Sequence, residues 1–219
     1  MEVIEKMSSI STGTTTLGIV CKDGIILATD TRATMGTFIA AKRAKKVFQI
    51  TDHMAMTIAG GVAVAQKVVD ILRANSTLFS IDFDRPMSVS AAARLVSNIL
   101  FSNREAGAPL PLQLLIGGVD KSGSHLFSLD PYGSLTEEKC VSTGSGSPVA
   151  YGVLEDEYQE NRRIKEMIPV VIRAVNSAMK RDSASGDSFD VALVTEEGYR
   201  ELSEEDKKTI LNARKERAR

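Results

Sequence analysis

Tryptophan is absent from the 219 residues, cysteine and histidine occur twice each, and 27 Lys+Arg against 28 Asp+Glu leave a formal charge of −1. Each scarcity excludes something. Two cysteines, Cys21 and Cys140, without CxxC spacing or a secretory leader, give no disulfide framework and are expected as buried reduced thiols of a cytoplasmic protein. Near-zero charge with seven Phe and four Tyr leaves no basic, aromatic groove for nucleic acid. Apolar runs such as Leu112 to Val119 fall far short of the roughly 20 residues of a membrane-spanning helix, and Met1 to Gly13 lacks the apolar core of a signal peptide. His53 reads as a hairpin-turn residue and His125 as a strand start, with no carboxylate at ligand spacing, so no metal is expected.

What is present reads as one domain. TTTLGIV, KDG and IILAT from Thr14 to Thr29 form a hairpin pattern around Asp23-Gly24, and Val47 to Ile50 with Met54 to Ala59 form a second. The period then changes from two to 3.6: Val62, Ala65, Val68, Val69 and Leu72 predict a helix, as do Val89, Ala92, Ala93, Val96, Ile99 and Leu100. Strand character returns at Leu112 to Val119 and Ser124 to Leu129. Helices are predicted from Ser147 to Asn161 and from Ile164 to Arg181, the second carrying Pro169 near its start, where a missing N–H costs little. Phe189 to Val194 closes the pattern as a strand, followed by a charged helix or tail whose lysines and glutamates read as a solvated face. Met54, Met56 and Met179 read as core fillers. Segregated blocks of strands and helices predict two mainly antiparallel sheets with helices outside, an α+β fold rather than βαβ units.

Gly13-Thr14 is the most suggestive chemistry. A threonine hydroxyl needs a base, and its own α-amine, freed by cutting the preceding bond, titrates at about 7.7 to 8.0 and can take that role. Glycine before the cut leaves its carbonyl unshielded and tolerates the strain of an N-to-O shift. By composition alone, though, any TTT reads first as the opening of a strand. Asp30 ends the strand IILAT, and Lys46 lies in AKKVFQI. A lysine directed at Thr14 would lower the amine's pKa, with Asp30 orienting it. Lys42 and Arg43 read as solvated. TGSGSP (143–148) and RDSASGD (181–187) combine hydroxyls with glycine at element ends, which suits either a site or a plain turn. TGSGSP lacks the lysine of a phosphate-binding loop.

In order along the chain, GTTTLGIVCKDGIILATDTRAT, AKKVFQI, MTIAG, QLLIGG, STGSGSPVAYGVLE and KRDSASGDSFDVALVT are together similar to the β subunits of archaeal-type proteasomes, and the likeness runs from Thr14 to about Leu211. The resemblance implies the N-terminal nucleophile hydrolase fold, a four-layer αββα sandwich. It implies Thr14 as nucleophile, Lys46 as catalytic lysine and Asp30 as its partner, with Ser145, Asp182 and Ser185 around the threonine amine and hydroxyl. Gly60 would supply an oxyanion N–H and, with Thr34, pair with the substrate backbone. Gly13 and Arg32 would serve processing. Ala33, Ala44, Phe48, Ile58 and Val62 would line a first pocket favouring cleavage after hydrophobic side chains.

On this resemblance, residues 1–13 are a prosegment removed by self-cleavage, and 14–219 are a single catalytic domain with a charged C-terminal helix or tail. No cofactor is implied. The implied partners are copies of the chain in a seven-membered β ring, proteasome α subunits, a regulatory ATPase acting through the α ring, and unfolded protein substrates. The chain departs from many archaeal relatives at Ala63 and Val64 after MTIAG, which leaves the catalytic set intact. Three other readings carry different consequences: a wall subunit without activity, a freestanding amidase of the same fold, and the bacterial two-ring protease that lacks α subunits.

Overall fold

The computed structural model describes residues 13–217, with side chains of the last helix described as far as Ile210. Of the expected prosegment only Gly13 lies within this range; the rest, residues 1–12, is outside the described residues. The chain order is β1 (Thr16–Cys21), β2 (Gly24–Asp30), β3 (Ala33–Met35), β4 (Phe38–Ala41), β5 (Val47–Thr51), β6 (Met54–Gly60), α1 (Val62–Phe83) and α2 (Val89–Glu105). There follow β7 (Leu112–Asp120), β8 (Gly123–Leu129), β9 (Leu135–Glu137), β10 (Cys140–Thr143), α3 (Ser147–Glu157), α4 (Ile164–Arg181), β11 (Phe189–Thr195), β12 (Gly198–Glu201) and α5 (Glu204–Arg217).

Two five-stranded sheets, ordered β10-β1-β2-β11-β12 and β5-β6-β7-β8-β9, hold all the strands but β3 and β4, which pair with each other. Every pairing among them is antiparallel. Side-chain alternation at period two divides the core. Ile26 and Ala28 of β2 pack with α3 and α4, whereas Ile25 and Leu27 meet Ala55, Leu115 and Leu126 of the other sheet. Met54, Met56 and Ile58 of β6 face α1 and α2 instead. The result is helices, sheet, sheet, helices, the αββα sandwich expected. Strand β2 is buried along all seven residues, and each Ile or Leu fully buried there contributes about 1.5–3 kcal/mol.

Several local expectations change. The helix predicted to Asn161 ends at Glu157, because Tyr158 turns extended and Asn161 takes a positive φ of 62°. The freed Tyr158 hydroxyl donates to the Val20 carbonyl at 3.0 Å. Pro169 is the sixth residue of α4, beyond the turn whose N–H groups lack partners, so it does forfeit an intrahelical bond. Strands β3, β4, β9, β10 and β12 were not expected, being three or four residues long. Cys21 is buried and Cys140 half-buried, both unpaired, and burial pushes each thiol up to about 12, with Asp23 adding at the first and Glu155 at the second.

The two surface assumptions also need correction. His125 is partnered after all, with Nδ1 2.7 Å from Glu137 Oε1 and Nε2 3.7 Å from Asp120 Oδ1. No group of three or more His, Cys, Asp or Glu is placed to hold a metal among the described residues. Lys207 does not belong to a solvated face: at 4% exposure it donates to the Phe189 carbonyl at 2.8 Å and to Glu204 at 2.7 Å. A run of alternating charge hides such a residue, since only the fold shows which lysine turns inward.

Candidate active site

Asp30, at the end of β2, is fully buried and gathers three chain segments. Its Oδ1 accepts from Lys46 Nζ at 2.8 Å and from the Thr15 amide at 2.9 Å, and its Oδ2 accepts from the amides of Arg32 and Gly186, both at 3.0 Å. Four donors fill the acceptor positions of the carboxylate and fix it in place. Lys46, 3% exposed, is thereby fixed against the Thr14–Thr15 backbone, because Lys46 and the Thr15 N–H share one acceptor atom. Burial pushes its ammonium below the ordinary lysine value; the charge and hydrogen bond of Asp30 oppose that, as does Asp182, while Arg32 adds to it.

A second network surrounds Thr14. Asp182, the residue that caps the C-terminus of α4, accepts on Oδ2 from the hydroxyls of Ser145 and Ser185, both at 2.6 Å. A carboxylate only accepts, so both serines spend their protons on it and present oxygen elsewhere. Ser145 Oγ then accepts from the Thr14 nitrogen at 3.2 Å, and Ser185 Oγ from the Thr15 hydroxyl at 2.7 Å. The Thr14 hydroxyl itself donates to the carbonyl of Gly13 at 2.6 Å. Thr15 was missed by the sequence reading, which treated TTT as a single feature, yet it is fully buried and joins both networks.

Gly13 has a steric reason beyond the one anticipated. A Cβ built there would stand 1.7 Å from the Cβ of Ala184 and 3.1 Å from Ser145 Oγ, so no side chain fits. Its amide donates to Thr34 Oγ1 at 3.1 Å. Arg32 binds Asp187 at 2.8 Å and the Ser183 carbonyl at 2.9 Å, bracing the loop that carries Asp182 and Ser185. This hydrogen bond, with the guanidinium charge, holds the Asp187 carboxyl below the usual range. The structure thus brings together Gly13, Thr14, Asp30, Arg32, Thr34, Lys46, Ser145, Asp182 and Ser185.

The remaining candidates are more dispersed. Gly60 closes β6 opposite Leu112 with a φ of 122°. Ile58 is buried beneath the α1 and α2 layer with Phe48 packed against the same cluster, and the Ile58 amide donates to the Lys46 carbonyl at 2.9 Å. Val62 opens α1 and Ala33 opens β3, both half-buried. Ala44 borders a cavity of about 120 Å³ whose other walls are polar: Thr31, Arg43, Lys45, Ser188 and Asp190. Gln113, which opens the QLLIGG stretch and was given no role at the site, accepts the Gly144 amide at 2.9 Å.

A sandwich of two antiparallel sheets between helix layers, with a threonine, a lysine and two carboxylates at one end, defines an N-terminal nucleophile hydrolase fold. The chain belongs to the proteasome subunit family, whose model, described as "Proteasome subunit", matches residues 10–194. It is 52% identical over 200 residues to a proteasome subunit beta of Ferroglobus placidus, covering 91% of this chain and 94% of the relative. A proteasome subunit beta of Methanosarcina barkeri is 52% identical over 199 residues, covering 90% and 93%. One from Archaeoglobus fulgidus is 49% identical over 212 residues, covering 96% and 98%. Among the described residues no helix is long and apolar enough to cross a membrane.

Proposed function

We propose that this chain is a catalytic β subunit of a proteasome core, a threonine-type endopeptidase whose nucleophile is Thr14 after cleavage of the Gly13–Thr14 bond. The observation that carries the reading is the Thr14 hydroxyl 2.6 Å from the Gly13 carbonyl oxygen, beside a nitrogen held by Ser145 and above a buried Asp30–Lys46 pair.

Self-cleavage begins when Thr14 Oγ attacks the Gly13 carbonyl carbon. The C–N bond breaks, the Thr14 nitrogen takes up the hydroxyl proton, and an ester links Gly13 to Oγ. Water hydrolyses that ester, releasing residues 1–13 with a new carboxylate and leaving Thr14 with a free amine and hydroxyl. In turnover the amine accepts the Oγ proton as Oγ attacks a substrate carbonyl, and the Gly60 N–H receives the oxyanion. The protonated amine then gives its proton to the leaving amine. Water, deprotonated by the same amine, cleaves the acyl ester. Lys46 holds positive charge beside the amine, which keeps the amine's pKa low enough to release that proton. Ser145, Asp182 and Ser185 orient the relay, Thr34 and Gly60 pair with the substrate backbone, and Arg32 braces the loop for processing.

The family likeness supports a first pocket favouring hydrophobic residues, with Ala33, Ala44, Phe48, Ile58 and Val62 as its proposed lining, although Ala44 also borders a polar-walled cavity and Ile58 is buried in the core. The likeness to β subunits supports assembly of seven copies in a ring stacked with α rings, in the cytoplasm, acting on unfolded proteins delivered through the α ring by a regulatory ATPase. The test is the intact mass of the chain recovered from a particle assembled with its cognate α subunit. Loss of residues 1–13 in the wild type and their retention in Thr14→Ala, with peptidase activity at least ~10³-fold lower in the variant, is expected. Retention in an assembled wild-type particle would make the chain a wall subunit without activity.

A further inference from the structure

We propose that Gln113 is a positioning residue for the proton relay: its side-chain carbonyl holds the Gly144 amide and thereby fixes the turn that presents Ser145 to the Thr14 nitrogen. The inference rests on the function proposed above.

The relay serine and the threonine belong to the first sheet and its flanking turns, whereas Gln113 belongs to the second. Alternation along β7 sends Leu114 and Ile116 toward the helices and Leu115 into the space between the sheets. Gln113 shares the face of Leu115, at the end of the strand where that space opens. In register it lies opposite Ala59, next to the pair Gly60 and Leu112. From there its Oε1 reaches across to the Gly144 amide at 2.9 Å. Among the described residues this is the acceptor that the Gly144 N–H has.

Gly144 sits where the chain has least room. Its φ is 87°, and a Cβ on it would stand 2.1 Å from the Thr14 carbonyl oxygen and 3.5 Å from the Ala59 Cβ. The turn that follows wraps the same oxygen: the Gly146 amide donates to it at 3.3 Å, and the Ser147 amide donates back to the Gly144 carbonyl at 3.1 Å. Ser145, between them, must satisfy the Thr14 nitrogen at 3.2 Å and Asp182 at 2.6 Å at once. A glycine-flanked turn has little stiffness of its own. The Gln113 bond supplies it from the opposite sheet, and through the Ala59 pairing it ties the relay serine to the strand end that carries the Gly60 N–H. Misplacement by about 1 Å at a reacting constellation costs on the order of 10²-fold in rate, so even a partial loosening is measurable.

The experiment compares Gln113→Met, of similar length but without the acceptor, with Gln113→Glu, which keeps it, in particles assembled with the cognate α subunit. Steady-state peptide hydrolysis gives kcat and KM, and amide hydrogen exchange follows the Gly144–Ser147 segment. Gln113→Met is expected to lower kcat about tenfold with KM within about twofold, and to speed exchange in that segment; Gln113→Glu restores both toward wild type. Unchanged kcat and exchange in Gln113→Met, an equal loss in both variants, or a fall in kcat without faster exchange would each overturn the proposal. If Gln113→Met does not assemble, Gln113→Ala is read against Gln113→Glu by the same criteria. A wild-type particle with no Thr14-dependent hydrolysis would sink the proposed function instead, and the exchange comparison would still decide whether Gln113 holds the turn.

Discussion

Among the described residues two lysines are buried, Lys46 and Lys207, and both attach to the same rung of the first sheet. Lys46 binds the side chain of Asp30, and Lys207 binds the carbonyl of Phe189, the residue directly opposite Asp30 where β11 meets β2. Their exposures are nearly equal, 3% and 4%. Their countercharges differ. Asp30 is wholly buried, so the Lys46 charge is neutralised inside the protein, among the hydroxyls around Thr14. Lys207 reaches outward to Glu204, 56% exposed, and sits 5.2 Å over the Phe189 ring, with Asp190 3.8 Å away. Burial alone therefore assigns neither residue a role. Under the proposed function, the ammonium with an internal carboxylate beside a hydroxyl serves the chemistry, whereas the one on a carbonyl with surface carboxylates fastens a helix.

The strongest way to break this comparison is to remove each charge. Lys46→Met should reduce peptide hydrolysis by at least ~10³-fold, and Lys46→Arg should not restore it, since a planar guanidinium cannot replace a compact ammonium at a site enclosed by Asp30. Recovery of most activity in Lys46→Arg would remove the chemical half of the contrast. Lys207→Met should lower unfolding stability by about 1–3 kcal/mol, the cost of a buried carbonyl left unpaired, while turnover per processed subunit stays within about threefold. Denaturant titration and active-site-normalised rates would show this. A lost turnover with unchanged stability would reverse the assignment.

A smaller effect sharpens the contrast through Asp190. Burial raises its carboxyl above the ordinary value, opposed by Lys207 and reinforced by Glu201. Between the unfolded and folded values the folded chain keeps a proton that the unfolded chain has released. Its contribution to stability is therefore full below the unfolded value and is lost as pH rises through the folded one. Asp190→Asn removes this dependence, so the variant should gain stability relative to wild type on going from about pH 4 to about pH 7. Thermal melts across that range would show a rising difference, and a flat or falling one would mean that Lys207 matches or outweighs burial at Asp190.

The long elements were legible because their periodicity extends over enough residues. The hairpin of β1 and β2 and the strand β11 fall close to their expected limits, while the helices α1 and α2 begin where expected but run past Leu72 and Leu100 to Phe83 and Glu105. Strands β3 and β4 were not legible: Met35, Phe38 and Ile39 are exposed, so no core imposes an alternating pattern on that hairpin. The short strands β9, β10 and β12 depend on pairing with neighbours far along the chain, which no local window contains. At the site, Thr14, Asp30 and Lys46 were legible from their types and setting. Ser145, Asp182 and Ser185 were named through the family resemblance, since a turn rich in serine and glycine has several readings. Thr15, Gln113 and Lys207 were missed because their importance lies in which way one side chain points.

The approach of Gly13 to Ala184 bears on a question of numbering. Thr12, Thr14, Thr15 and Thr16 are the same nucleophile chemically, and they stand within five residues of one another. Ala184 works as a gauge on this stretch, because it admits only a residue without a β-carbon. A slip of one position would bring a threonine against it and be refused. Under the proposed self-cleavage, the first residue of the mature chain is thus set by the shape of a loop about 170 residues downstream, as a caliper sets a length, in addition to the preference of the reaction for an unshielded carbonyl.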